Sequence, residues 1–98
     1  MALSMKNASF LIEARLEDAA RGDADALYEL GLAYSSGTGG VDIDMIAAHK
    51  WFNLAALHGD ERGQACRHDV AEEMTAREIA EAQRQARAWL QSTMRRAA

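Results

Sequence analysis

Apolar residues along the chain fall into stripes with helical spacing. Ile12, Leu16 and Ala19 recur at i, i+4 and i+7, with Glu13, Glu17 and Asp18 off that stripe, which predicts a helix from Ser9 to Arg21. Residues 1–8 carry little periodicity and are expected to fray as a flexible N-terminus. Leu27, Leu30, Gly31 and Tyr34 lie at i, i+3, i+4 and i+7 and predict a second helix over residues 24–36. A third runs from about Met45 to His58, with Trp51, Phe52, Ala48 and Ala55 as core. Cys66, Val70 and Met74, spaced by four, mark the inner side of a fourth helix, where Cys66 acts as a small buried hydrophobe. Ile79, Ala82, Ala86 and Trp89 make the buried stripe of a fifth, and residues 94–98 are a tail.

The boundaries carry their own chemistry. Gly22-Asp23 and Gly59-Asp60 each combine a glycine that enters the left-handed cap without steric penalty with an aspartate that caps the next helix. Asp42 or Asp44 is placed to cap the third helix after the turn-rich Ser35–Gly40 stretch, where Val41 is the apolar anchor. Thr75 and Glu78 form a capping box, with Met74 and Ile79 as its staple. Gly31 is the exception, since a glycine in a helix interior costs about 1 kcal/mol relative to alanine. It is expected where another backbone passes too close for a methyl group.

Composition agrees with an all-α chain. Ninety-eight residues contain 21 alanines and no proline, and the mean hydropathy of -0.29 is that of a soluble globular domain rather than a membrane protein. Residues 1–60 hold 4 basic and 9 acidic side chains, so nonspecific attraction to nucleic-acid phosphate is disfavoured. A single cysteine, Cys66, allows no internal disulfide, and nothing resembles a secretory signal, which makes the cytoplasm the expected location.

The two Gly-Asp junctions recur as Ala19-Ala20-Arg21-Gly22-Asp23 and Ala56-Leu57-His58-Gly59-Asp60, a spacing of 37 residues between helix pairs. Around them Ala26, Leu30-Gly31, Tyr34, Gly37, Gly39, Val41, Asp44, Ala48, Trp51, Ala55-Ala56 and Gly59 resemble the Sel-one-like repeat (SLR), a relative of the tetratricopeptide repeats. The stretch "AAHKWFNLAA" is similar to its bacterial members, and "MTAREIAEAQRQARAWL" to the helical segment that often closes them. The likeness covers roughly residues 20–92. It departs from the family pattern by one extra residue in Gly37–Val41, and by Arg67 and His68 where Leu30 and Gly31 stand one spacing earlier.

The resemblance implies a short right-handed α-solenoid of antiparallel helix pairs, about five helices in all. A single domain would span residues 9–93, with one full repeat over about 24–59 and a closing helix pair over about 60–93. It also implies a non-enzymatic adaptor that binds a partner protein or peptide on its concave face. The residues expected on that face are Asp25, Tyr28, Glu29 and Leu32, faced by Arg62 and Asp69, with Ala65 and Cys66 between them; the alternative for Tyr28 and Leu32 is packing against the first helix as core. Self-association through an open end of the stack stays an alternative.

Other chemistry fails on its own terms. Gly37-Thr38-Gly39-Gly40 lacks the strand and the Lys-Ser/Thr of a phosphate loop, and Asp42-x-Asp44 lacks the remaining ligands of a calcium loop. Cys66 and His68 lie some 200° apart on a helix and His58 sits in a last helical turn, so no metal or cofactor site is expected. No acid, base and nucleophile converge, which argues against an enzyme. Arg77, Arg84 and Arg95, with Arg87 close by, form the one basic stripe, an alternative surface for an anionic ligand or nucleic acid, diluted by Glu81.

Overall fold

The predicted stripes lie on helices of the computed structural model, except that Met74 falls in the turn after the fourth; the structure describes the backbone of residues 2–97 and the side chains of residues 11–95. The order is α1 (Ala2–Ala20), α2 (Ala24–Ser36), α3 (Met45–Leu57), α4 (Glu61–Ala71) and α5 (Ala76–Ala97), with no strand among the described residues. The outer helices are longer than expected. The α1 backbone continues through residues 2–8, where fraying was expected, and α5 takes in the expected tail as far as Ala97. Met1 and Ala98 lie outside the described residues.

Local chemistry fixes the junctions. Gly22 (φ 89°) donates its N–H to the Ala19 carbonyl at 2.9 Å, and the Asp23 N–H reaches Asp18 O at 3.2 Å. Thirty-seven residues on, Gly59 (φ 92°) donates to Ala56 O at 3.0 Å and Asp60 N–H to Ala55 O at 3.0 Å. Both aspartates then cap the helix that follows: Asp23 accepts from Asp25 N–H (2.9 Å) and Ala26 N–H (3.3 Å), and Asp60 from Arg62 N–H (2.9 Å). Of the two candidates before α3 it is Asp44 that caps, accepting from Ala47 N–H at 3.0 Å. The capping box closes as its residues dictate, with Thr75 N–H on Glu78 Oε1 (2.8 Å) and Glu78 N–H on Thr75 Oγ1 (3.1 Å).

The apolar stripes meet around α3. Leu27 and Leu30 of α2, Trp51, Leu54 and Ala55 of α3, Ala19 of α1 and Ala86 of α5 form one buried cluster, and Trp89 closes it edge-on against Trp51 at 5.6 Å. Ala48, Phe52 and Val70 form a second, with Tyr28, Cys66 and Met74 packed on it. Gly31 does sit at a close approach, but to a side chain: a Cβ there would stand 2.5 Å from Cε1 and 2.9 Å from Cγ of the Phe52 ring. Backbone contact occurs instead at Gly63, where a Cβ would lie 2.8 Å from Phe52 O, 2.8 Å from Ala55 Cβ and 3.0 Å from Ala56 N.

The ending departs from a closing helix pair. Helices α4 and α5 both pack on α3 and barely approach each other, whereas α2 and α3 are in extensive contact.

Candidate functional site

On α2 and α4 the expected binding residues fall at four places. Asp25, Tyr28 and Arg62 come together. The Arg62 guanidinium donates through Nη2 to Asp25 at 2.6 Å and to Asp60 at 2.7 Å, adds Nε to Asp60 at 3.1 Å, and lies over the Tyr28 ring at 4.2 Å. Asp25 and Arg62 stand 37 residues apart in sequence, so the pair ties matching positions on the two helices. Hydrogen bonding from Arg62 holds the Asp60 carboxyl below its ordinary range, and Asp60 in turn raises the guanidinium further.

Tyr28 is half-buried, tilted against Phe52 at 5.8 Å. Burial, and then the neighbouring Cys66 thiol, push its phenol up. Leu32, at 37% exposure, is the large apolar side chain of the expected face that opens to solvent, and the small Ala65 is exposed as well. Glu29 turns toward α1 and pairs with Arg15, and Asp69 lies elsewhere, on the rim of a pocket beside α3.

That pocket has a volume of about 620 Å³ and is walled by His49 of α3 and by Glu61, Gln64, Ala65, Arg67, His68, Asp69 and Ala71 of α4. His49 is only 3% exposed, and its Nδ1 is buried with no hydrogen-bond partner among the described residues. Burial, and then the Arg67 charge, hold this imidazole below the ordinary histidine range, which favours its neutral form. Arg67 is half-buried and donates Nη1 to Asn53 Oδ1 at 2.7 Å. The residues were not legible as a site, because His49 stands within an apolar helix and reads as core. The available signal was that Gln64, Arg67 and His68 occupy, one spacing later, the register of Leu27, Leu30 and Gly31.

The other candidates are occupied locally. Cys66 is half-buried against the second cluster, while His68 is exposed beside Glu72 at 3.3 Å. The His58 Nδ1–H donates to Leu54 O at 2.8 Å, which satisfies a carbonyl at the C-terminus of α3. Among the described residues no three His, Cys, Asp or Glu side chains gather as metal ligands. On α5, Glu81 takes both Nε (2.8 Å) and Nη2 (2.6 Å) of Arg84 plus the Gln85 amide (2.8 Å), and its carboxyl drops to about 2. Arg77 and Arg87 stay exposed on the same helix. No described helix is long and apolar enough to cross a membrane.

Searches against family models, curated proteins and solved structures find no match to the chain.

Proposed function

We propose that the chain is a non-enzymatic interaction module of the Sel-one-like repeat kind, a short right-handed α-solenoid that acts in the cytoplasm and binds a partner protein or peptide along α2 and α4. The observation that carries this reading is the Asp25–Arg62 pair, which joins residues 37 apart on those two helices beneath matching Gly-Asp turns. Equivalent positions of successive repeats are neighbours in a stack, and such neighbours form one continuous surface. On that surface Leu32 supplies an apolar contact, Tyr28 an aromatic edge, and the Asp25–Arg62–Asp60 network a charged rim, the anatomy of a small peptide-binding patch.

Capture of a partner by the purified chain, with variants read alongside thermal melts, tests the reading. Leu32→Ser should lose capture with little change in melting. Tyr28→Ala should lose both, because Tyr28 also packs on Phe52. A Leu32→Ser chain that still captures its partner removes α2 from the binding surface. The arginine stripe of α5 is the weaker reading, since Glu81 already neutralises Arg84 through two short hydrogen bonds.

A further inference from the structure

The pocket between α3 and α4 has a deep wall and a rim of different chemistry. Along α4, Arg67 and Ala71 are half-buried next to the buried His49, while Glu61, Gln64, Ala65, His68 and Asp69 form an exposed outer edge. Arg67 spends one N–H on Asn53, which fixes the guanidinium, and has no carboxylate partner among the described residues. A guanidinium held this way offers the rest of its planar fork, whose geometry matches a carboxylate. Beside it stands the His49 imidazole, 3% exposed, whose Nδ1 has no hydrogen-bond partner among the described residues, so the inner wall of the pocket is polar as well as its rim. The rim limits the guest. Glu61 and Asp69 on the rim repel an anion in proportion to its charge, so a polyanion is disfavoured more strongly than a single carboxylate that can reach Arg67.

We propose that this pocket binds one carboxylate group, received by the free part of the Arg67 guanidinium against the His49 imidazole. The site lies apart from the α2–α4 surface and does not depend on the reading given to that surface. The carboxylate comes from a small organic acid or from the C-terminal end of a peptide, and the two sources have the same chemistry at Arg67.

Amide and imidazole NMR spectra recorded at constant ionic strength during titration with sodium acetate, acetamide or pyrophosphate test the assignment. Acetate should give saturable shifts centred on His49 and Arg67, acetamide none, and pyrophosphate weaker ones. Bound acetate offsets the Arg67 charge, so the His49 titration midpoint should move up. Arg67→Gln should weaken acetate binding roughly tenfold or more, the usual loss for a charge-assisted hydrogen bond. Arg67→Lys keeps the charge without the fork and should fall between. Arg84→Gln and Leu32→Ser should bind as the parent does. A tripeptide with a free C-terminus that binds tighter than acetate, with its amide inactive, assigns the carboxylate to a polypeptide end, and equal affinity assigns it to a small acid. Equal shifts from acetate and acetamide, or an Arg67→Gln chain that binds acetate unchanged, overturn the proposal.

Discussion

Gly31 and Phe52 are one packing unit, and a single methyl group is enough to show it. A Cβ added at Gly31 would overlap the Phe52 ring at 2.5 Å from Cε1 and 2.9 Å from Cγ. The ring cannot swing away freely, because Phe52 is fully buried with Ala48 and Val70, and Tyr28 packs against it. Two opposed effects then act in Gly31→Ala. Helix propensity favours alanine by about 1 kcal/mol, and overpacking a filled core costs about 1–3 kcal/mol. The net expectation is a loss of about 1 kcal/mol, or about 4–8 °C in melting temperature for a domain of this size. That is within the roughly 5 kcal/mol a small domain can lose, so the variant still folds.

The loss should shrink once the ring is gone. A Phe52→Leu side chain removes the overlap at Cε1 while keeping a Cγ at the same branch point, so Gly31→Ala should cost less there than in the parent, by up to about 1 kcal/mol. Gly63→Ala provides the contrast. There the obstruction is the Phe52 carbonyl and the Ala56 amide of the α3 backbone, which a change of side chain does not move, so Phe52→Leu should leave its destabilisation standing. Urea melts of the four Gly31/Phe52 combinations and the Gly63 pair measure both couplings. A Gly31→Ala chain more stable than the parent, or one equally affected in both backgrounds, refutes the wedge between α2 and α3.

Caps and titrating groups give further expectations. Thr75→Ala opens the capping box of α5 and should cost about 1 kcal/mol in a denaturant melt. Asp60→Ala should cost more than Asp23→Ala, because Asp60 both caps α4 and anchors Arg62, whereas Asp23 only caps α2; parallel melts give the order. The lowered imidazole of His49 implies stability that is complete above the unfolded value of about 6.5 and lost as pH falls from there through the lower folded value. Melting temperatures between pH 7.5 and 5 should therefore decline, and His49→Gln should flatten that decline. Asp60, lowered by Arg62, adds a second loss that begins only below about pH 4.

What was legible in the sequence is what neighbouring residues decide. Gly22, Gly59, Asp23, Asp60 and the Thr75–Glu78 box act within four or five residues of chain, so their types and spacing already contain the hydrogen bonds they make. Helix faces were legible for the same reason. Partners across space were not. Gly31 signalled a close approach without saying that a ring, rather than a backbone, fills it, and Gly63, between Arg62 and Gln64, carried no apolar pattern to mark the close backbone approach of α3 to α4. In the 37–44 loop, Val41, expected as the apolar anchor, is half-buried, whereas Ile43 stays 61% exposed although its Cγ1 lies 2.9 Å from where a Gly37 Cβ would be. Of the expected binding face, Asp25, Tyr28 and Arg62 are adjacent because their helices are. Glu29 found Arg15 of α1, and Asp69 the α3–α4 pocket, both outcomes of packing that residue type does not reveal.

The placement of α5 follows from the same comparison of registers. On α2, the face formed by Leu27, Leu30, Gly31 and Tyr34 is covered by α3, and Gly31 admits the Phe52 ring. One spacing later α4 presents Gln64, Arg67, His68 and Ala71. A helix with the stripe Ile79, Ala82, Ala86 and Trp89 gains little by covering two cationic or polar side chains and an amide, since each buried polar group must find a partner or lose its hydration. The α3 surface offers Trp51, Leu54 and Ala55, where Trp89 packs edge-on and Ala86 is sealed. Burying a side chain of this kind is worth about 1.5–3 kcal/mol, which decides the competition in favour of α3. The polar residues that α4 carries at these positions therefore act twice: they send α5 to α3, and they leave between α3 and α4 the polar pocket that Arg67 and His49 line.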